Sequence, residues 1–97
     1  MADLLTDDRI ADFCLLHRRW KRDGDSLVAE VKATTFLDGI GYVTKVAEVA
    51  EEMDHHPDID IRWRTLSFRL STHSEGGITD LDTTLAERID MIVDLLP

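Results

Sequence analysis

The sequence predicts an α+β fold: a four-stranded antiparallel sheet with helices layered on one face, in the order α-β-β-α-β-β-α. Three observations carry this. The hydrophobic period switches between helical and alternating in that order along the chain. Asp23-Gly24, a two-residue hairpin signal, stands between two strand-like runs. Helix-start residues stand ahead of the helical runs. Strand pairs interleaved with single helices bury their apolar faces by layering helices on an antiparallel sheet.

Thr6 is placed to cap a first helix with Asp7 and Asp8 in its opening turn, and Ile10, Phe13, Cys14 and His17 then share one face. Residues 19–22 and 27–33 flank Asp23-Gly24, and Leu27, Ala29, Val31 and Ala33 alternate as a half-buried strand does. From Thr35 one stripe runs through Phe36, Ile40, Val43, Ala47 and Ala50, with a second through Tyr42, Val46, Val49 and Met53 beside it. A stripe so wide implies burial against more than one neighbour. Pro57 pushes His56 out of the helical region and ends this helix near His55. Ile59, Ile61 and Trp63 then alternate in one phase and Leu66, Phe68 and Leu70 in the other, which places a turn or a bulge near Arg64-Thr65. After Gly76-Gly77, Thr79 and Asp82 have capping-box spacing and open a last helix with Leu81, Leu85, Ile89, Ile92 and Leu96 on one side.

With 97 residues and no Pro/Gly/Ser-rich divider, residues 1–97 are expected to form one domain. A core this small invites oligomerisation. Twenty acidic against eleven basic residues give a net charge of −9, a field that repels nucleic-acid phosphates and anionic lipid. Direct nucleic-acid binding and membrane association are therefore not expected. No apolar run is long enough for a bilayer and the first residues are acidic, so a cytoplasmic location is expected. The single cysteine, Cys14, lies among apolar residues at helical spacing and reads as core.

The candidate chemistry lies in Glu51-Glu52-Met53-Asp54-His55-His56-Pro57 and in His73, which is expected to end the last strand. Three of the four histidines thus fall at element ends, where sites are commonly built. A break before Pro57 allows His55 and His56 to turn toward one cleft. Glu51, one helical turn before His55, can reach its imidazole and fix its tautomer or hold its proton. Each feature alone also has a plainer reading. His-His-Pro can be a surface helix cap, Asp82 a helix-start acid with no chemistry, Trp20 and Trp63 core or hairpin aromatics, and Glu51–His55 an exposed helix pair. Zinc is disfavoured, because HExxH spacing is absent and a lone cysteine supplies no thiolate set.

The run Glu51-x3-His55-His56-Pro57-x5-Trp63-x9-His73-x8-Asp82 resembles the signature of the pterin-4a-carbinolamine dehydratases. The resemblance extends upstream through Phe36, Gly41, Tyr42, Thr44, Val46 and Ala47 to Trp20, and departs at Ile59, where many members carry an aromatic. It implies dehydration of 4a-hydroxytetrahydrobiopterin, or a related pterin, to the quinonoid dihydropterin in tetrahydrobiopterin recycling. The N5 lone pair expels the 4a-hydroxyl while an acid protonates the leaving oxygen, and a base removes a ring-nitrogen proton. Neither step needs a metal or an organic cofactor; the pterin is the substrate.

On this resemblance His55, tuned by Glu51, and His73 are candidate acids at the 4a-hydroxyl, and His56 is the base or the group orienting the ring. Asp82 orients His73 or binds the pterin amino edge, and Trp63 lines the pocket. The resemblance also implies a homodimer or homotetramer. Its alternative is a protein-binding dimerisation or assembly cofactor of the same fold, as in animal members that serve a homeodomain transcription factor, without turnover.

Overall fold

The computed structural model describes residues 2–96. Its elements run α1 (Asp7–Leu16), β1 (Lys21–Asp23), β2 (Ser26–Lys32), α2 (Phe36–Met53), β3 (Asp58–Arg62), β4 (Thr65–Leu70), a short 3-10 turn (His73–Glu75) and α3 (Asp80–Leu95). The strands form one antiparallel sheet in the spatial order β1-β2-β4-β3, so β2 and β4 are central and β3 is an edge. This is the predicted α-β-β-α-β-β-α order.

Alternation decides which face of the sheet is covered. Leu27, Ala29 and Val31 of β2 pair with Leu70, Phe68 and Leu66 of β4, and all six are buried. Tyr42, Val46 and Val49 of α2, Leu85, Ala86 and Ile89 of α3, and Ile10 of α1 belong to the same core. Burying an aliphatic or aromatic side chain of this size contributes about 1.5–3 kcal/mol. Gly39 sets the close approach of α2: a Cβ there would stand 3.4 Å from the Ala33 Cβ and 3.5 Å from Leu66. The second stripe of α2 therefore faces the core. The first is left partly outside, with Phe36 half exposed and Ala47 exposed.

Three boundaries differ from expectation. The first hairpin turns on Gly24-Asp25, one residue later than predicted, because Gly24 takes the positive φ (60°) that its missing Cβ allows. The second turns on Trp63-Arg64, between the paired Arg62 and Thr65, with Trp63 at φ 54°. It is a tight hairpin, not a long bulged strand. The last strand ends at Leu70, and His73 opens the 3-10 turn instead of closing a strand. Cys14 is half-buried and packs against the core, and Trp20 is fully buried with its indole N–H on Asp90 (3.0 Å).

Candidate active site

α2 ends earlier than Pro57 requires. Asp54 adopts the left-handed conformation (φ 51°), and the His55 N–H bonds back to the Ala50 carbonyl at 3.0 Å, the six-to-one bond of a Schellman ending. That one residue redirects the chain before the histidines, so His55 and His56 no longer follow the helical spiral. Pro57 follows, disfavouring a helical backbone at His56, and β3 begins at the next residue, Asp58.

His55 swings inward and is buried. Its Nε2 lies 2.6 Å from Oδ1 of Asp82, in the first turn of α3, and the Asp82 side chain is fully sealed. The other carboxylate oxygen, Oδ2, accepts the Thr72 hydroxyl at 2.8 Å and the Thr79 N–H at 2.9 Å. A carboxylate that already accepts two donors on one oxygen is placed to accept a third on the other. Nε2–H of His55 therefore donates to Asp82. Nδ1 has no protein partner among the described residues and is not sealed from solvent, which makes it the nitrogen free to meet a ligand.

His56 takes the opposite course. It is exposed, and its Nε2 pairs at 2.5 Å with Glu51, five residues back on α2. The expected Glu51–His55 pair is thus replaced by Glu51–His56, and Asp82 holds His55 instead of His73. The physical reason is Asp54: the one-turn relation of Glu51 to His55 holds only while the helix continues, and it stops at Met53.

His73 is exposed at the start of the 3-10 turn, one residue from Thr72, whose hydroxyl is on Asp82. The structure thereby ties three segments together at one end of the fold: the end of α2, the turn after β4 and the start of α3. Trp63 is not brought to them. It is 70% exposed at the opposite end of β3 from Pro57, roughly 20 Å away at about 3.3 Å per residue. The Arg64 guanidinium stacks on its ring at 4.4 Å. A concavity of about 760 Å³ lies on the uncovered face of the sheet, lined by residues such as Lys21, Glu30, Asp60 and Arg69, and it contains none of the three histidines. Among the described residues, no group of three or more His, Cys, Asp or Glu is placed to hold a metal ion.

Thr72 and Thr79 are site residues that sequence reasoning missed as such. Thr79 shows in the sequence only as a helix cap, and it does cap: its hydroxyl accepts the Leu81 N–H at 3.2 Å. Thr72 carries no sequence signal beyond its place before His73.

A sequence model of the family described as pterin 4 alpha carbinolamine dehydratase matches residues 3–92. The chain belongs to that family. Among its dehydratase-family relatives, a Mycobacteroides abscessus protein provisionally named pterin-4-alpha-carbinolamine dehydratase is 61% identical over 87 residues, covering 90% of this chain and 93% of the relative. One from Mycobacterium sp. strain KMS, named in the same way, is 53% identical over 91 residues, covering 94% and 97%. The crystal structure of a transcriptional coactivator/pterin dehydratase from Brucella melitensis superposes with a TM-score of 0.91 at 26% identity, covering 94% of this chain and 99% of that one. A pterin dehydratase-like protein identified as a RuBisCO assembly factor in the alpha-carboxysome shares the fold at a TM-score of 0.65 and 16% identity, covering 77% and 87%. No helix is long and apolar enough to cross a membrane.

Proposed function

We propose that this protein dehydrates a 4a-hydroxytetrahydropterin such as 4a-hydroxytetrahydrobiopterin, by histidine acid–base chemistry and without a metal or organic cofactor. The observation that carries the reading is the buried His55–Asp82 pair in a chain of the dehydratase family. A carboxylate behind Nε2 fixes the ring and leaves Nδ1 to exchange protons with a substrate. Loss of water breaks the C4a–O bond as the N5 lone pair moves in to form C4a=N5. One proton goes to the departing hydroxyl and one leaves the ring nitrogens. The proton for the hydroxyl comes from His55 Nδ1, in the imidazolium form that the Asp82 carboxylate stabilises, with His73 the alternative donor there. His56, backed by Glu51, is the base.

The test is turnover of a 4a-hydroxypterin generated in situ, with and without prior chelation. Undiminished turnover after chelation supports the reading; no turnover, or an activity that only zinc restores, overturns it. The whole set Glu51, His55, His56, His73 and Asp82 favours turnover over a binding-only role for the same fold. We also propose a cytoplasmic homo-oligomer; the oligomer is supported by the apolar start of α2, where Leu37 is 77% and Phe36 50% exposed. Light scattering is expected to give a multiple of 11.0 kDa, and a monomer at micromolar concentration would refute it.

A further inference from the structure

Thr72 is buried, yet every polar group it has is engaged. Its hydroxyl bonds to Asp82 Oδ2 at 2.8 Å and to the Thr79 hydroxyl at 2.7 Å. A hydroxyl carries one proton. Because that proton is on Asp82, the Thr79 O–H donates to Thr72, and the polarity runs one way: Thr79 to Thr72 to Asp82, with His55 on the far carboxylate oxygen. The Thr72 backbone works in the other direction along the chain. Its N–H bonds to Gly77 O at 2.8 Å, and its carbonyl accepts from Glu75 and Gly76, each at 3.0 Å, closing the turn that begins at His73.

We propose that Thr72 is a positioning residue that joins the two histidine arms of the site. Its hydroxyl orients the Asp82 carboxylate, and through it the His55 ring; its backbone fixes the turn that carries His73. Without the hydroxyl, Oδ2 loses one of its two donors and keeps only the Thr79 N–H, so the carboxylate is held less firmly about its last side-chain bond. The His55 ring keeps Asp82 Oδ1 as its partner, but on a looser carboxylate that opens more often. The ordering of His55 by Thr72 is independent of the reaction; only its kinetic consequence rests on the dehydratase reading.

The experiment follows ring-proton exchange in the intact chain with ¹⁵N-labelled histidine, in Thr72→Val, Thr72→Ala and Thr72→Ser. In the native protein the His55 Nε2 proton is expected to exchange slowly. Removing the hydroxyl is expected to speed that exchange about tenfold or more, while backbone amides of β2 and β4 keep their protection. Thr72→Ser restores slow exchange. Thr72→Ala removes the hydroxyl without adding bulk and is the deciding variant if Thr72→Val does not fold. With a 4a-hydroxypterin, kcat of the hydroxyl-free variants falls about 10- to 100-fold with little change in KM, the scale on which partners of a working imidazole act at metal sites. Unchanged His55 exchange overturns the proposal, as does protection lost evenly through the sheet, which marks a purely structural threonine. Native protein that shows the exchange pattern and no turnover sinks the dehydratase reading and leaves Thr72 in place.

Discussion

At the end of α2 two imidazole–carboxylate pairs stand one residue apart. His55 reaches across 27 residues to Asp82, and the two side chains are 9% and 0% exposed. His56 folds back on Glu51 of its own helix, with side chains 56% and 77% exposed. The same two chemical groups meet in both pairs, and their surroundings separate them. In the buried pair, removing one partner strands a charge or a donor where water cannot replace it, at a cost of about 3–5 kcal/mol. In the exposed pair water and salt take over, and the bond is worth about 0–1 kcal/mol. The site thus combines a histidine fixed by the fold with one that is free to follow a ligand.

The largest effect expected is on turnover. Alanine at His55, His56 or His73 lowers it by about 10²–10⁴-fold, the scale of a general acid or base, and double variants lose less than the product of singles. Multiplicative losses would split the cluster into independent groups. Stability sharpens the contrast: in denaturant unfolding, Asp82→Ala loses about 3–5 kcal/mol, whereas Glu51→Ala stays within about 1 kcal/mol. Equal losses would erase the distinction between the pairs. Salt comes next. Near 1 M, where the screening length is about 3 Å, the turnover cost of Glu51→Gln is expected to shrink while that of Asp82→Asn persists. A salt-insensitive Glu51 effect would mean that its pair is shielded in solution. Smallest is His17→Ala, within about twofold of native turnover. His17 stacks on Phe13 at 4.2 Å and faces Asp90 and Glu87 at 3.7 and 3.8 Å, remote from the cluster in its contacts, and a surface substitution of this kind changes stability little. A large loss there would bring the α1–α3 contact into the chemistry.

The elements were legible where local chemistry fixes them. Thr6, Thr35 and Thr79 each cap the helix they were expected to start, and the Thr79–Asp82 box forms. Alternation placed Leu27, Ala29, Val31, Leu66, Phe68 and Leu70 on the covered face. The residue spacing marked Glu51, His55, His56, His73 and Asp82, which the fold carries to one end of the molecule; it also marked Trp63, which lies elsewhere, and it did not report which imidazole meets which carboxylate. Nothing in the string Glu51 to His55 announces that Asp54 takes a left-handed φ, an uncommon state for a non-glycine residue that aspartate tolerates better than most. That torsion sends His55 to Asp82 and gives Glu51 to His56. Trp63 misleads for a related reason. In sequence it continues the Ile59–Ile61 alternation, yet it occupies a turn position at positive φ, which an aromatic seldom takes. The Thr72 bond to Asp82 joins residues ten apart across a turn, and no local periodicity reports it.

Asp82 also serves the start of α3, since the oxygen that accepts Thr72 accepts the Thr79 N–H of the helix cap. The order of assembly during folding follows. The β3–β4 hairpin and α2 can form from near neighbours in sequence, but the His55–Asp82 bond must close a loop of 27 residues and so waits for the last helix to dock. The carboxylate that caps that helix is the one that completes the site, and a chain whose α3 has not yet docked holds His56 on Glu51 but leaves His55 with no carboxylate to order it.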